Sequence, residues 1–187
     1  MNEVFHLVFV LFLFVQINAQ EKNAITKSVK LERFIPFIAE NYSVKKDTIN
    51  KKKIIILIPV SANNDNDLEK RIIIRLGARL LLERLSENDE ISFVAYGELV
   101  GEILPPISPK KVKEVLYALK NLYNNSTLKK EGNGILLAYD LADKYYEESA
   151  ISTIIMIRDL KESKSKSKIL SENIVDKSPK NKLLINC

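Results

Sequence analysis

Three apolar runs set the terms for this chain: KKIIILIPV (52–60), DEISFVAYG (89–97) and AISTIIMIRDL (150–160). Each is short and rich in β-branched residues, so each reads as a strand. The isoleucine runs in the first and third show no polar alternation, as expected of strands covered on both faces. Between them lie longer stretches with helical spacing. DLEKRIIIRLGARLLLERLS (67–86) carries leucine and isoleucine over a wide face, with Arg71, Arg75 and Arg79 recurring as a polar stripe. SPKKVKEVLYALKNLY (108–123) opens with a serine and a proline suited to a helix start, and ILLAYDLADKYYEES (135–149) gives a third helix. Strands alternating with helices predict an α/β fold, a doubly wound and mostly parallel sheet with helices on both faces.

One connection departs from that rule. ELVGEILPP (98–106) follows the second strand after a turn at Gly97 too tight for a parallel crossover. It is expected as a short antiparallel edge strand, ended by Pro105 and Pro106. A weak helix, SKILSENIVDKS, and a last apolar segment, KLLINC, read as a fifth parallel strand, follow the third apolar run.

At 187 residues, with 46% hydrophobic and 28% charged content, the chain suits one globular domain. Its start differs from the rest. VFHLVFVLFLFVQ is followed by small residues in INAQ, which predicts an export signal over residues 1–20 and a periplasmic, cell-surface or secreted location. Residues 21–52 are polar apart from FIPFIA and read as a linker or short packing segment, leaving 53–187 as the main domain. Cleavage near Ala19 removes His6, the only histidine, and leaves Cys187 as the only cysteine. Such a chain has no Ser-His-Asp or Cys-His mechanism, no ordinary zinc site and no internal disulfide. No membrane span is expected after cleavage. The net charge of +5 is modest, and its lysine runs, KKDTINKKK (45–53) and KESKSKSK (161–168), lack interleaved aromatics. They read as solvated loops, so no nucleic-acid partner is expected.

In a doubly wound sheet, ligands sit outside the carboxyl ends of the strands. That rule selects residues 59–65, the polar break at 124–134, and the end of the third run. PVSANNDND has no glycine, which argues against a dinucleotide or P-loop phosphate cradle. What these places do hold is oxygen: Ser61 and Asn63 in the first, Ser126 or Thr127 in the second, Asp159 in the third. Such hard donors suit magnesium or calcium, but at turns they equally satisfy backbone groups.

Over residues 53–160 this pattern resembles the von Willebrand factor A-type domain, particularly its bacterial exported forms. LLLERLSENDEISFVAYGELVGEILPP resembles that family's first helix, second strand and antiparallel third strand. LKNLYNNSTLKKEGNGILLAYDLADKY resembles its threonine loop and following helix, and STIIMIRDL its strand carrying a last aspartate. In the family, Asp-x-Ser-x-Ser, a threonine and Thr-Asp-Gly form a metal-ion-dependent adhesion site. Here Pro59 stands in the first aspartate's place, Ser61 and Asn63 in those of the serines, Thr127 in the threonine's and Asp159 in the last aspartate's, with Arg158 and Leu160 flanking it. The resemblance therefore implies a degenerate metal site of Ser61, Asn63, Thr127 and Asp159. No cofactor is expected beyond weakly held magnesium or calcium. Asp65 and Asp67 are the nearby acids that would have to substitute, and Arg158 the cation that would fill a metal's space by pairing with Asp159. The implied activity is non-enzymatic, with an unnamed protein partner at the strand-end face. The alternative is a small divalent-metal hydrolase using Asp159 with Asp65 in the same pocket. The family adds one more strand and helix, so a shortened domain with self-association through the terminal strand edge is also expected.

Overall fold

A computed structural model describes residues 24–43, 50–62, 68–124 and 126–159. The expected signal, Asn63, Asp65, Asp67, the KESKSKSK run, SKILSENIVDKS and KLLINC lie outside the described residues. One sheet has the order β1-β5-β2-β3-β4. Here β1 is Ile25–Lys30, β2 Lys51–Val60, β3 Glu90–Gly97, β4 Gly101–Ile107 and β5 Ala150–Arg158. All neighbours are parallel except β3 and β4, which run antiparallel. The helices are α1 (Phe34–Asn41), α2 (Leu68–Arg84), α3 (Val112–Lys120) and α4 (Gly134–Lys144). The first three cover one face, and α4 covers the other.

The central position of β2 explains its unbroken apolar run. Ile54, Ile56, Ile58 and Val60 join the core under α1, α2 and α3, while Ile55 and Leu57 pack with Ala138 and Leu141 of α4. Strand β5 divides in the same way, with Ile155 and Ile157 on the first face and Ile154 on the second. A strand with helices on both sides has no face to leave polar.

The segment 21–52, expected as a linker or short packing element, supplies β1 and α1. Strand β1 lies parallel to β5 at one edge of the sheet. Only Val29 of its six residues is buried, so its apolar pattern is faint. Its outer edge has no partner among the described residues, and it is short and carries Lys27 and Lys30, features that discourage edge-to-edge pairing. Helix α1 anchors the segment through Phe34 and Ile38, both fully buried. The Phe34 ring lies directly on Gly77 of α2, where a β-carbon would approach it to 2.4 Å. Two expected boundaries also move. Pro105 and Pro106 sit within β4, which runs on to Ile107 with a register irregularity opposite Phe93. An edge strand tolerates the missing amides. Helix α3 begins at Val112, because Ser108 sits in a turn with its hydroxyl donating to the Glu87 carbonyl at 3.2 Å.

At the amino ends of the strands, four charges close on one another. The Lys51 ammonium donates to Glu90 (2.8 Å) and Glu147 (2.9 Å), and Lys53 lies 3.0 Å from the same Glu147 oxygen. Hydrogen bonds from Lys51 and Lys53 hold the Glu147 carboxyl down to about 2, and hydrogen bonds to Glu90 and then Glu147 raise Lys51. A depressed carboxyl favours the folded state above its unfolded pKa, and that contribution disappears as pH falls through the folded value. In urea titrations, stability is therefore expected to drop between about pH 4.5 and 2 in the native sequence. The drop is expected to be smaller in Glu147→Gln, which is already weaker at pH 7. An unchanged pH profile in Glu147→Gln would contradict the pairing.

Candidate functional site

The reversal in strand order falls between β2 and β5, so the crevice lies at Val60–Ser61 and Arg158–Asp159. The turn after β3 closes over its first side. Gly97 takes φ +110°, a conformation that L side chains rarely adopt, and the amides of Glu98 and Leu99 then donate to the Val60 carbonyl at 3.0 and 3.2 Å. This brings the Glu98 carboxylate to the loop after β2, where it accepts the Ser61 hydroxyl at 3.1 Å and the Ala62 amide at 2.9 Å. Glu98 was not among the residues selected from the sequence. Only the register Val60↔Gly97 places it beside Ser61.

The other side of the crevice holds an ion pair. Asp159 lies 3.3 Å from the Lys70 ammonium, with the two side chains 7% and 1% exposed. Lys70 belongs to the first turn of α2 and was not anticipated as a site residue. Arg158, the cation expected to pair with Asp159, is exposed and forms no ion pair among the described residues.

Thr127 lies elsewhere. Its hydroxyl donates to the Glu102 carbonyl of β4 at 2.9 Å, on a loop pinned to the edge where Lys129 bridges Val100. Strand β4 is three places from β5, roughly 14 Å of sheet at about 4.8 Å per strand. Ligands to one calcium or magnesium ion stand within about 2.0–2.6 Å of it. Thr127 and Asp159 are thus not gathered, and Ser61 is tied to Glu98. Among the described residues no cluster of three or more His, Cys, Asp or Glu side chains stands ready for a metal. Among the described residues the donors do not converge on one divalent ion: Asp159 is paired with an ammonium and the Thr127 hydroxyl is held at the far edge.

Pro59, in the place expected of an acid, has a structural consequence. Val60 turns its carbonyl toward the β3 side, so residue 59 faces β5, where the ladder stops at Leu57↔Met156. Continued register would aim the residue-59 amide at the Ile157 carbonyl, but proline has none. The Tyr96 hydroxyl instead reaches across from β3 and donates to that carbonyl at 2.5 Å. Away from this end, a small cavity under α4, lined in part by Ser92, Leu141 and Tyr145, has about 20 Å³ of room, enough for roughly one water molecule.

Tyr96→Phe is expected to cost about 1 kcal/mol in the native sequence and clearly less in Pro59→Ala, where a backbone amide becomes available to the same carbonyl. Equal costs in both backgrounds, measured by denaturant unfolding, would show that the hydroxyl does not replace the amide.

No known protein family, no curated protein and no solved structure matches this chain.

Proposed function

We propose that the chain is an exported, non-enzymatic protein-interaction module of von Willebrand A-type design, whose strand-end site relies on an internal ammonium instead of a metal. The observation that carries this reading is the Lys70–Asp159 pair at the topological switch point. Counted from β2, the strands run 3-2-1-4 across the sheet, the doubly wound order, with the third antiparallel at the edge. Strand β1 occupies the fifth place. This order and the agreement of α2, β3, β4, α4 and β5 with the sequence pattern support the family reading. Export rests on the apolar run within residues 1–20 and the small residues that follow it. A protein partner at the strand-end face is what a non-enzymatic member of such a family would bind. The hydrolase alternative would need Asp159 to act with Asp65, and Asp159 faces Lys70.

The charge balance supports a site that works without metal. An acid about 5 Å from a dication contributes roughly 6–7 kcal/mol gross at an effective dielectric of about 20, and an ammonium at that distance opposes it equally. Pro59 removes the first, and Lys70 supplies the second. If a third of either survives as net energy, about 2 kcal/mol, affinity falls on the order of thirtyfold. Calorimetry with magnesium is expected to give at most very weak binding in the native sequence and measurably stronger binding in Pro59→Asp. Micromolar affinity in the native sequence, lost in Ser61→Ala, would mean that the ion site is intact and would overturn the reading.

A further inference from the structure

The outward side of α2 carries a second apolar stripe. Its inward side buries Ile74, Ala78, Leu81 and Leu82. On the opposite side Leu68, Ile72 and Leu76 recur every four residues and are 66%, 45% and 51% exposed. A helix on the surface of a globular domain ordinarily keeps that side polar. Arg75 and Arg79 fall in the same stripe, three residues after Ile72 and Leu76. Across from them, Leu116 of α3 completes a groove of about 200 Å³ between the two helices. Lys113 and Lys120 stand exposed one turn to either side of Leu116.

The rim of this groove is cationic. Arg79 shares its charge with Glu83 at 3.2 Å in an exposed pair. Arg75, Lys113 and Lys120 form no ion pair among the described residues. We propose that the α2–α3 groove takes an acidic, amphipathic helix of a partner protein. Apolar side chains of the partner, spaced by four, would lie between Ile72, Leu76 and Leu116, while carboxylates on its flanks meet the arginines and lysines. The groove falls below the roughly 300–1,000 Å³ of ordinary small-molecule sites, and its size suits side-chain teeth better than a bound metabolite. A membrane-surface helix presents its apolar face outward to be immersed in the bilayer, whereas here the aliphatic side chains form the walls of a concavity. The surface lies on the outside of the helical layer, away from the strand ends, so this proposal does not depend on the strand-end reading.

Fluorescence anisotropy of the full chain with a labelled synthetic helix tests it. The probe is about 18 residues long, with leucines spaced by four and glutamates on both flanks. Saturable binding is expected, weakened at least about tenfold in Arg75→Glu/Arg79→Glu and in Leu76→Asp, with thermal unfolding unchanged because all three positions are at the surface. A matched probe with lysines in place of glutamates is expected to prefer the Arg75→Glu/Arg79→Glu chain. Absence of saturable binding to the native sequence, equal affinity in the variants, or no discrimination between the two probes would overturn the proposal. Binding only to phosphatidylserine vesicles would overturn it in favour of a membrane surface.

Discussion

Lys70 and Asp159 meet with almost no access to solvent, one from the first turn of α2 and the other from the residue after β5. Neither position tolerates its charge alone. A lysine in the first turn opposes the helix dipole, and an isolated buried carboxylate or ammonium is costly by several kcal/mol. Together they offset each other's charge, and the acid lies beside the first turn of the helix, where negative charge is favoured. The pair spans β2, because α2 follows that strand and β5 lies beside it. It therefore ties the first turn of α2 to the end of β5 at the switch in strand order.

The rest of the sheet is organised around the same strand. An isoleucine-rich β2, buried on both faces, sets the two cores. Its amino end is closed by Lys51 and Lys53 with Glu90 and Glu147, and its carboxyl end by the Glu98 turn with Ser61 and Ala62. Pro59 interrupts the ladder with β5 just where a ligating acid is expected, and Tyr96 takes over the missing donation. The strand-end face is thus built from hydrogen bonds and an ion pair internal to the chain.

Much of this frame is legible in residue order. Continuous apolar runs mark β2 and β5 because strands buried on both faces have no polar side, and the short Gly97 turn forces β4 to be antiparallel. Strand β1 escapes notice for the complementary reason: as an edge strand it buries only Val29. Pro105 and Pro106 read as terminators because proline removes a ladder donor, but at the sheet edge, where β4 was expected and lies, a missing amide facing outward is tolerated. The site is less legible than the fold. Ser61 and Asp159 were selected from strand ends, but their partners Glu98 and Lys70 are distant in sequence, and only strand register and the exit angle of α2 bring them together. Arg158 was the obvious counter-ion by adjacency, yet successive residues of a strand point to opposite faces, and it stays in solvent.

The most direct measurement is a double-mutant cycle on the buried pair by denaturant unfolding, with Lys70→Met, Asp159→Asn and the two combined. If the pair organises the strand-end face, each single substitution costs about 3–5 kcal/mol, because it leaves the other group buried and uncompensated, and the double costs clearly less than the sum. Single costs below about 1 kcal/mol that simply add, as exposed ion pairs give, would contradict the account.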